Sequence, residues 1–327
     1  MRHKFSGGRL PRLAAAFQYL YALPARRSYG RIFSGGWLPY PAIAFLLLAG
    51  LFTACHTPET PPPAPFTTID YVTVGKMMDT IRPPYIIDVS HGPKRVVLIG
   101  CDHNRDTTHP QFREIARLFN DLHPQLTFNE GGQIPDTLHF NSLNDGITHK
   151  GETGALKYLS NQAGIRMLNG DLTDSLEFSI TLRKYPADQL LLYYLMERLV
   201  IPYLSGAYGN APFEEIYNNA IQHWFIDEGF PVPENQRSFA GFKQLYQHYT
   251  GHPFELTLNE QIELFDYING GDCQFCAIGR ASKMVRDSVL LSKIDNALTD
   301  HDRVMITFGH GHAIALAPAL QQVVDRH

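Results

Sequence analysis

Neither Asp nor Glu occurs in the first 55 residues, which carry seven Lys and Arg. The body, residues 56–327, is short of the opposite sign: 21 basic side chains face 32 acidic ones, a net charge of -11. That balance argues against a nucleic-acid footprint. Cysteine is scarce, with four in 327 residues. Three catalytic signatures are also missing. There is no Gly-x-Ser-x-Gly elbow for a serine hydrolase, no His-Glu-x-x-His helix, and no Gly-x-x-x-x-Gly-Lys phosphate loop. What is present is ordinary globular material, 44% hydrophobic and 18% charged, which excludes a disordered or fibrous chain.

Arg26, Arg27 and Arg31 precede an apolar run over residues 42–54. The run is too short to span a bilayer comfortably and has the make-up of a signal-peptide h-region. It ends in Phe52-Thr53-Ala54-Cys55, which resembles a bacterial lipobox, with Phe52 where Leu is usual. Cys55 is therefore the expected lipidation site, and an uncleaved membrane anchor is the alternative. Both put the body outside the cytoplasm, in the cell envelope, with the outer membrane favoured. Residues 56–66 are Pro-rich, and "TPPPAP" suits a semi-extended spacer. Of the remaining cysteines, Cys273 and Cys276 form "CQFC". A redox pair of the thioredoxin type wants a strand before the motif and a helix after it. The pair could be a small-loop disulfide or half a metal site; with no strand pattern before it, a structural pair or unpaired thiols is the favoured reading.

No long linker or repeat follows, so residues 67–327 read as one α/β domain. "YIIDV", "HGPK" and "RVVLIG" read as a hairpin, and "QFREIARLFNDL" as a helix with Ile115, Phe119 and Leu122 on one face. Over about 173–278 the pattern changes to Leu- and Tyr-rich helices, read as a large helical insertion whose Tyr and Phe are mostly core. A later helix, about 281–298, aligns Met284, Leu291, Ile294 and Leu298, with Asp287 in the same stripe. A carboxylate aimed inward there needs a partner or a purpose.

Four strand-like runs each stop in a polar cluster: "GCDH", "NEGG", "NGD" and "GHGH". In a mostly parallel sheet the carboxyl ends of the strands share one edge, so these distant clusters converge where ligands bind. Two clusters contain Gly-x-x-His, at Gly100–His103 and Gly309–His312. Neutral imidazole is the commonest metal ligand, and Glu130 adds a carboxylate. Two imidazoles and a carboxylate suit a divalent cation, Zn, Mn, Co or Fe, with room for an activated water. The bland alternative makes His103, His310 and His312 turn residues and Glu130 a solvated loop acid. His109 before Pro110 reads as a helix start.

Those residues, with Gly170, Asp171, Arg286 and Asp287, resemble the superfamily of TraB/PrgY, Tiki, ChaN and erythromycin-esterase-like proteins, as scattered short motifs over residues 96–320. The resemblance implies a three-layer α/β/α core with its site at the strand ends. It implies either a metal-dependent hydrolase of peptide or ester bonds or, in the ChaN manner, a non-catalytic haem- or iron-binding lipoprotein. Cys101 stands where the esterase branch has an acid, which weakens that branch. On this basis His103 and His312 are the expected metal ligands, with His310 a further candidate. Glu130 is a ligand or general base, and Asp171 orients a ligand histidine or caps the helix after it. Arg286 clamps a substrate carboxylate or an oxyanion, and Asp287 fixes Arg286 or a histidine; the alternative for the pair is a buried structural ion pair. The expected partners are the membrane, through the lipid, and a peptide or small-molecule substrate.

Overall fold

The computed structural model describes residues 66–206, 208–270 and 273–327; the signal segment, Cys55 and all but the last residue of the expected linker lie outside them. Phe66 is already buried, with the Arg326 guanidinium 3.9 Å over its ring, so the packed body begins one residue earlier than expected. Among the described residues no helix is long and apolar enough to cross a membrane.

The architecture is α/β, with a five-stranded sheet in the order β1-β2-β5-β3-β4. The strands are β1 (Tyr85–His91), β2 (Lys94–Cys101), β3 (Leu126–Asn129), β4 (Arg166–Asn169) and β5 (Arg303–Gly309). β1 and β2 form the expected hairpin, closed by His91 opposite Lys94 across Gly92-Pro93, and they are the only antiparallel pair in the sheet. The carboxyl ends of β2, β5, β3 and β4 share one edge: Cys101 lies opposite Gly309, and Asn129 lies opposite Thr307 and Asn169.

Strand alternation sorts the sheet's side chains into two cores. Val97, Ile99 and Met305 pack under α2 (Pro110–Leu122) and α3 (Leu143–Ala163) on one face. Val96, Leu98, Phe128, Val304 and Ile306 pack under α9 (Gln274–Asp300) and α10 (His310–Val324) on the other. The result is the expected three-layer α/β/α arrangement. β5 arrives last and inserts between β2 and β3, so the connections diverge at its carboxyl end, where open α/β sheets leave a crevice.

Between β4 and α9 lies the helical insertion: α4 (Asp174–Thr181), α5 (Ala187–Leu195), α6 (Ile201–Leu204), α7 (Phe213–Ala220) and α8 (Phe239–Thr250). It has its own core, in which Tyr193, Tyr194 and Tyr217 are fully buried. A π-helical turn, Met196–Val200, joins α5 to α6. α9 starts at Gln274, seven residues before the expected position, and Met284 is 53% exposed rather than buried. The inward seam instead drifts through Lys283 and Arg286, because both charges find buried partners. One helix precedes the sheet, α1 (Tyr71–Met77), which packs Val74 against Ile314 and Ala315 of α10.

Candidate active site at the strand edge

Three side chains from three strand ends meet near Gly309. His103 follows β2 in a loop pinned by buried Gln111, whose Oε1 accepts the Asp102 N–H at 3.0 Å and whose Nε2 donates to the Asp102 carbonyl at 2.7 Å. Glu130 follows β3, and its turn is held by Asn129 Nδ2, which donates to the carbonyls of Glu130 and Gly132 at 2.8 and 3.0 Å. Glu130 Oε2 accepts the Gly309 N–H, and a Cβ at position 309 would stand 3.0 Å from Glu130 Oε2 and 3.4 Å from His103 Nε2. Glycine is needed there for that close approach.

The stretch "TFGHGH" passes from strand to helix. β5 stops at Gly309 and α10 begins at His310, so His310 and His312 sit in its first turn, about 200° apart around the helix axis. His312 turns inward: Nδ1 lies 2.6 Å from Asp287 Oδ1, and Nε2 lies 3.9 Å from Glu130 Oε1. Tyr71 of α1 donates its hydroxyl to Asp287 Oδ2 at 2.8 Å and stands 2.8 Å from His312 Nδ1. A carboxylate can only accept, so Asp287 places a ring proton on Nδ1 and leaves Nε2 as the nitrogen facing Glu130. His312 Nε2 is buried and has no partner.

His103 is built the same way, with Nδ1 2.6 Å from Glu152 Oε1. Glu152 reaches it because α3 breaks at Gly151, where φ is 55° and where a Cβ would meet the Asn104 carbonyl oxygen at 2.7 Å. Burial works against a charged His103, but Glu152 beside it, with Glu130 and Asp102, lifts its pKa to about 9. Burial likewise works against ionised Glu130, yet Arg286, His312 and His103 outweigh it and hold that carboxyl well below its usual range.

Arg286 and Asp171 stand differently from the expected roles. Arg286 Nε donates to Asp171 Oδ1 at 2.8 Å, and its Nη2 donates to Asp171 Oδ2 and, at 2.6 Å, to Glu130 Oε1. Two of its three guanidinium nitrogens are thus taken up by carboxylates of the protein. Asp171 touches Arg286 rather than a histidine, and the cap of α4 is Thr173, not Asp171. Asp287, one of whose expected partners was a histidine, holds His312. His310 stands apart: its Nε2 is buried without a partner, its ring meets Tyr85 edge-on, and burial, helped by Arg82, pushes its pKa down to about 4.

A cavity of about 530 Å³ opens over this edge, lined by His103, Glu130 and His312 and roofed by α1 and the segment around Tyr267. Lys283 also lines it, 5% exposed, with Nζ 2.7 Å from Glu197 Oε1 in the π-helical turn and 5.1 Å from the Tyr267 ring. Tyr71, Glu152, Glu197 and Lys283 escaped the sequence reading. Only Glu152, flanked by Gly151 and Gly154 in "KGETG", carries the glycine punctuation that marked the other clusters.

Two imidazoles and a carboxylate are the right donors for a divalent cation, and a carboxylate on Nδ1 is the usual support of a histidine ligand. The 3.9 Å between His312 Nε2 and Glu130 Oε1 is within the ~4.2 Å that two bonds of ~2.1 Å can span. Among the described residues, however, no group of three or more His, Cys, Asp or Glu side chains is already spaced to hold a metal ion. The donor chemistry and the unpartnered His312 Nε2 fit the cation; the spacing of the full set does not yet display it. No family model, curated protein or solved structure matches the chain, so the resemblance rests on the scattered motifs alone.

Proposed function

We propose that this strand edge is the active centre of a metal-dependent hydrolase acting on a peptide or ester bond, in an envelope protein anchored through lipidated Cys55. The observation that carries the proposal is the buried, unpartnered Nε2 of His312, oriented by Asp287 and Tyr71 toward Glu130. His103, Glu130 and His312 would hold the cation. When bound, such a cation lowers the pKa of a water ligand and polarises a scissile carbonyl.

The chain's own residues divide the remaining work. Glu152 and Asp287 fix the two imidazoles with Nδ1 protonated, leaving Nε2 of each to bind. Arg286, itself gripped by Asp171, sets the Glu130 carboxylate and keeps it ionised, which suits a ligand better than a general base. The cavity over the edge has room for a small substrate or a chain end.

One observation favours a second reading, hydrolysis without metal. With no cation present, Glu152 and Glu130 keep His103 protonated to about pH 9, which makes it a proton donor for a leaving group in this reading, with the Glu130 carboxylate beside it. Elemental analysis separates the two. The full-length protein is stripped with chelator, supplied in turn with Zn, Mn, Co and Fe, and assayed on fluorogenic peptides and nitrophenyl esters. The metal reading expects one ion per chain, lost in a His103→Ala, His312→Ala double variant together with hydrolysis. Metal content equal in wild type and variant sinks it; hydrolysis that survives chelation selects the second reading. For the anchor, Cys55→Ala should abolish lipid labelling, and unchanged labelling disproves that assignment.

A further inference from the structure

The motif "CQFC" does not line the strand-edge cavity; as expected no strand leads into it among the described residues, but it opens a helix rather than lying ahead of one. Because α9 begins at Gln274, Cys273 is the N-cap of a 27-residue helix and Cys276 lies in its first turn. The two are joined in a disulfide, while Cys101, the other described cysteine, is free and buried. Cys276 is fully buried, whereas Cys273 is a partly exposed residue, so Cys273 is the more accessible of the two.

Three features separate this pair from a plain structural staple. A disulfide stabilises chiefly by constraining the unfolded chain, and a bridge three residues apart closes about the shortest loop and so constrains least. The Cys276 backbone N–H points at Cys273 Sγ from 3.2 Å, where it can hold a thiolate. The first turn of α9 contains no acidic residue, so the positive end of the helix dipole is not cancelled from within the helix. A helix N-terminus and a donated N–H are what lower a cysteine pKa and make it an exchanging sulfur. The Leu264 carbonyl oxygen lies 2.8 Å from Cys273 Sγ and 3.3 Å from Cys276 Sγ, in position to accept from a thiol formed at either sulfur on reduction.

We propose that Cys273–Cys276 is a thiol–disulfide exchange site that takes protein or peptide dithiols, with Cys273 the exchanging sulfur and Cys276 the resolving one. A substrate thiolate attacks Cys273 Sγ and breaks the Cys273–Cys276 bond. Cys276 leaves as a thiolate and takes up a proton, and the substrate is held on Cys273 as a mixed disulfide. The substrate's second thiolate then attacks its own sulfur in that mixed disulfide, forming the substrate disulfide and releasing Cys273 as a thiolate. Two electrons pass from substrate to protein, and glutathione disulfide, or another disulfide of that class, reverses the sequence to restore the pair. Nothing in this step depends on the hydrolytic reading.

The test uses the full-length protein in detergent. It is equilibrated over a series of reduced-to-oxidised glutathione ratios, and the two cysteines are quantified by alkylation and mass spectrometry. The expected result is a pair that opens and closes within that series. Cys276→Ser should accumulate glutathione on Cys273, and Cys273→Ser should accumulate none on Cys276. Oxidation of a synthetic two-cysteine peptide should run at least ~10-fold faster with the wild type than with Cys273→Ser. A pair that stays closed at every ratio overturns the proposal, as does one that opens without peptide oxidation. The wild-type titration needs no variant, so the outcome stands even if a substituted chain folds poorly.

Discussion

The helical insertion and the strand edge both bury charge, but they treat it differently. In the insertion, Arg198 donates to Asp174 and to Glu177, each at 2.6 Å, Ser282 donates to Glu177, and Lys283 reaches Glu197. Every one of these groups has a partner, as stability requires of a buried charge. At the strand edge Glu130 and Asp171 are also paired, yet His312 and His310 each keep a buried Nε2 with no hydrogen-bond partner, whereas the insertion's unpartnered atoms, the Tyr193 hydroxyl and Gln236 Oε1, belong to uncharged groups. A closed network stabilises the fold. An incomplete one costs stability and is retained where a ligand completes it.

The largest expected effect falls on the closed network. Arg198→Met strands the buried Glu177 carboxylate without its cation and should lower stability by ~3–5 kcal/mol, read from the urea midpoint at constant slope. If the midpoint barely moves while hydrolysis collapses, the division between the two regions is wrong. Next in size, His312→Ala should cut hydrolysis by ~10²-fold or more while shifting the midpoint less than Arg198→Met does. Equal midpoint losses would make His312 a structural residue.

A pH series sharpens the same contrast. The folded pKa of His103 is raised to about 9 from an ordinary ~6.5, so its pairing with Glu152 contributes stability that is fully present below ~6.5 and is lost as pH rises through about 9. Cation binding at Nε2 runs the other way, because the proton must leave first. Affinity should therefore climb ~10-fold per pH unit toward 9 while cation-free stability declines. Competition with a metal-indicator dye at pH 6, 7 and 8, beside thermal midpoints, checks both slopes. An affinity flat across that range removes His103 from the ligand set.

Much of the scaffold could be read from the chain because its signals are local. The hairpin around Gly92-Pro93, the short runs ending at Cys101, Asn129, Asn169 and Gly309, and the change of pattern near residue 173 are all set by neighbours in sequence. The convergence of "GCDH", "NEGG" and "GHGH" followed from the parallel sheet they end. What was not legible lay in contacts across the chain. Glu152 meets His103 from 49 residues away, and Tyr71 meets Asp287 from 216 away. Arg286 was expected to face a substrate because sequence spacing gives the helix face but not what stands opposite it. The start of α9 was missed because "CQFCAIG" carries no conventional cap, Cys273 supplying its sulfur instead.

Tyr71→Phe is the mildest perturbation and the most discriminating for the edge. It removes one oxygen and keeps the ring, which meets Tyr267 edge-on at 5.5 Å, so packing is preserved. Asp287 keeps His312 Nδ1 as a partner but loses the hydroxyl that fixes its second oxygen, and the imidazole gains freedom to swing from Glu130. A hydrogen bond of this kind contributes ~1 kcal/mol net, with the rest of its effect in geometry. Hydrolysis should fall by up to ~10-fold in kcat with KM little changed, and with the urea midpoint near the wild-type value. If KM rises instead, Tyr71 touches the substrate through α1. If only the midpoint moves, its hydroxyl belongs with the closed network of the insertion, and the contrast between the two regions fails at its nearest point of contact.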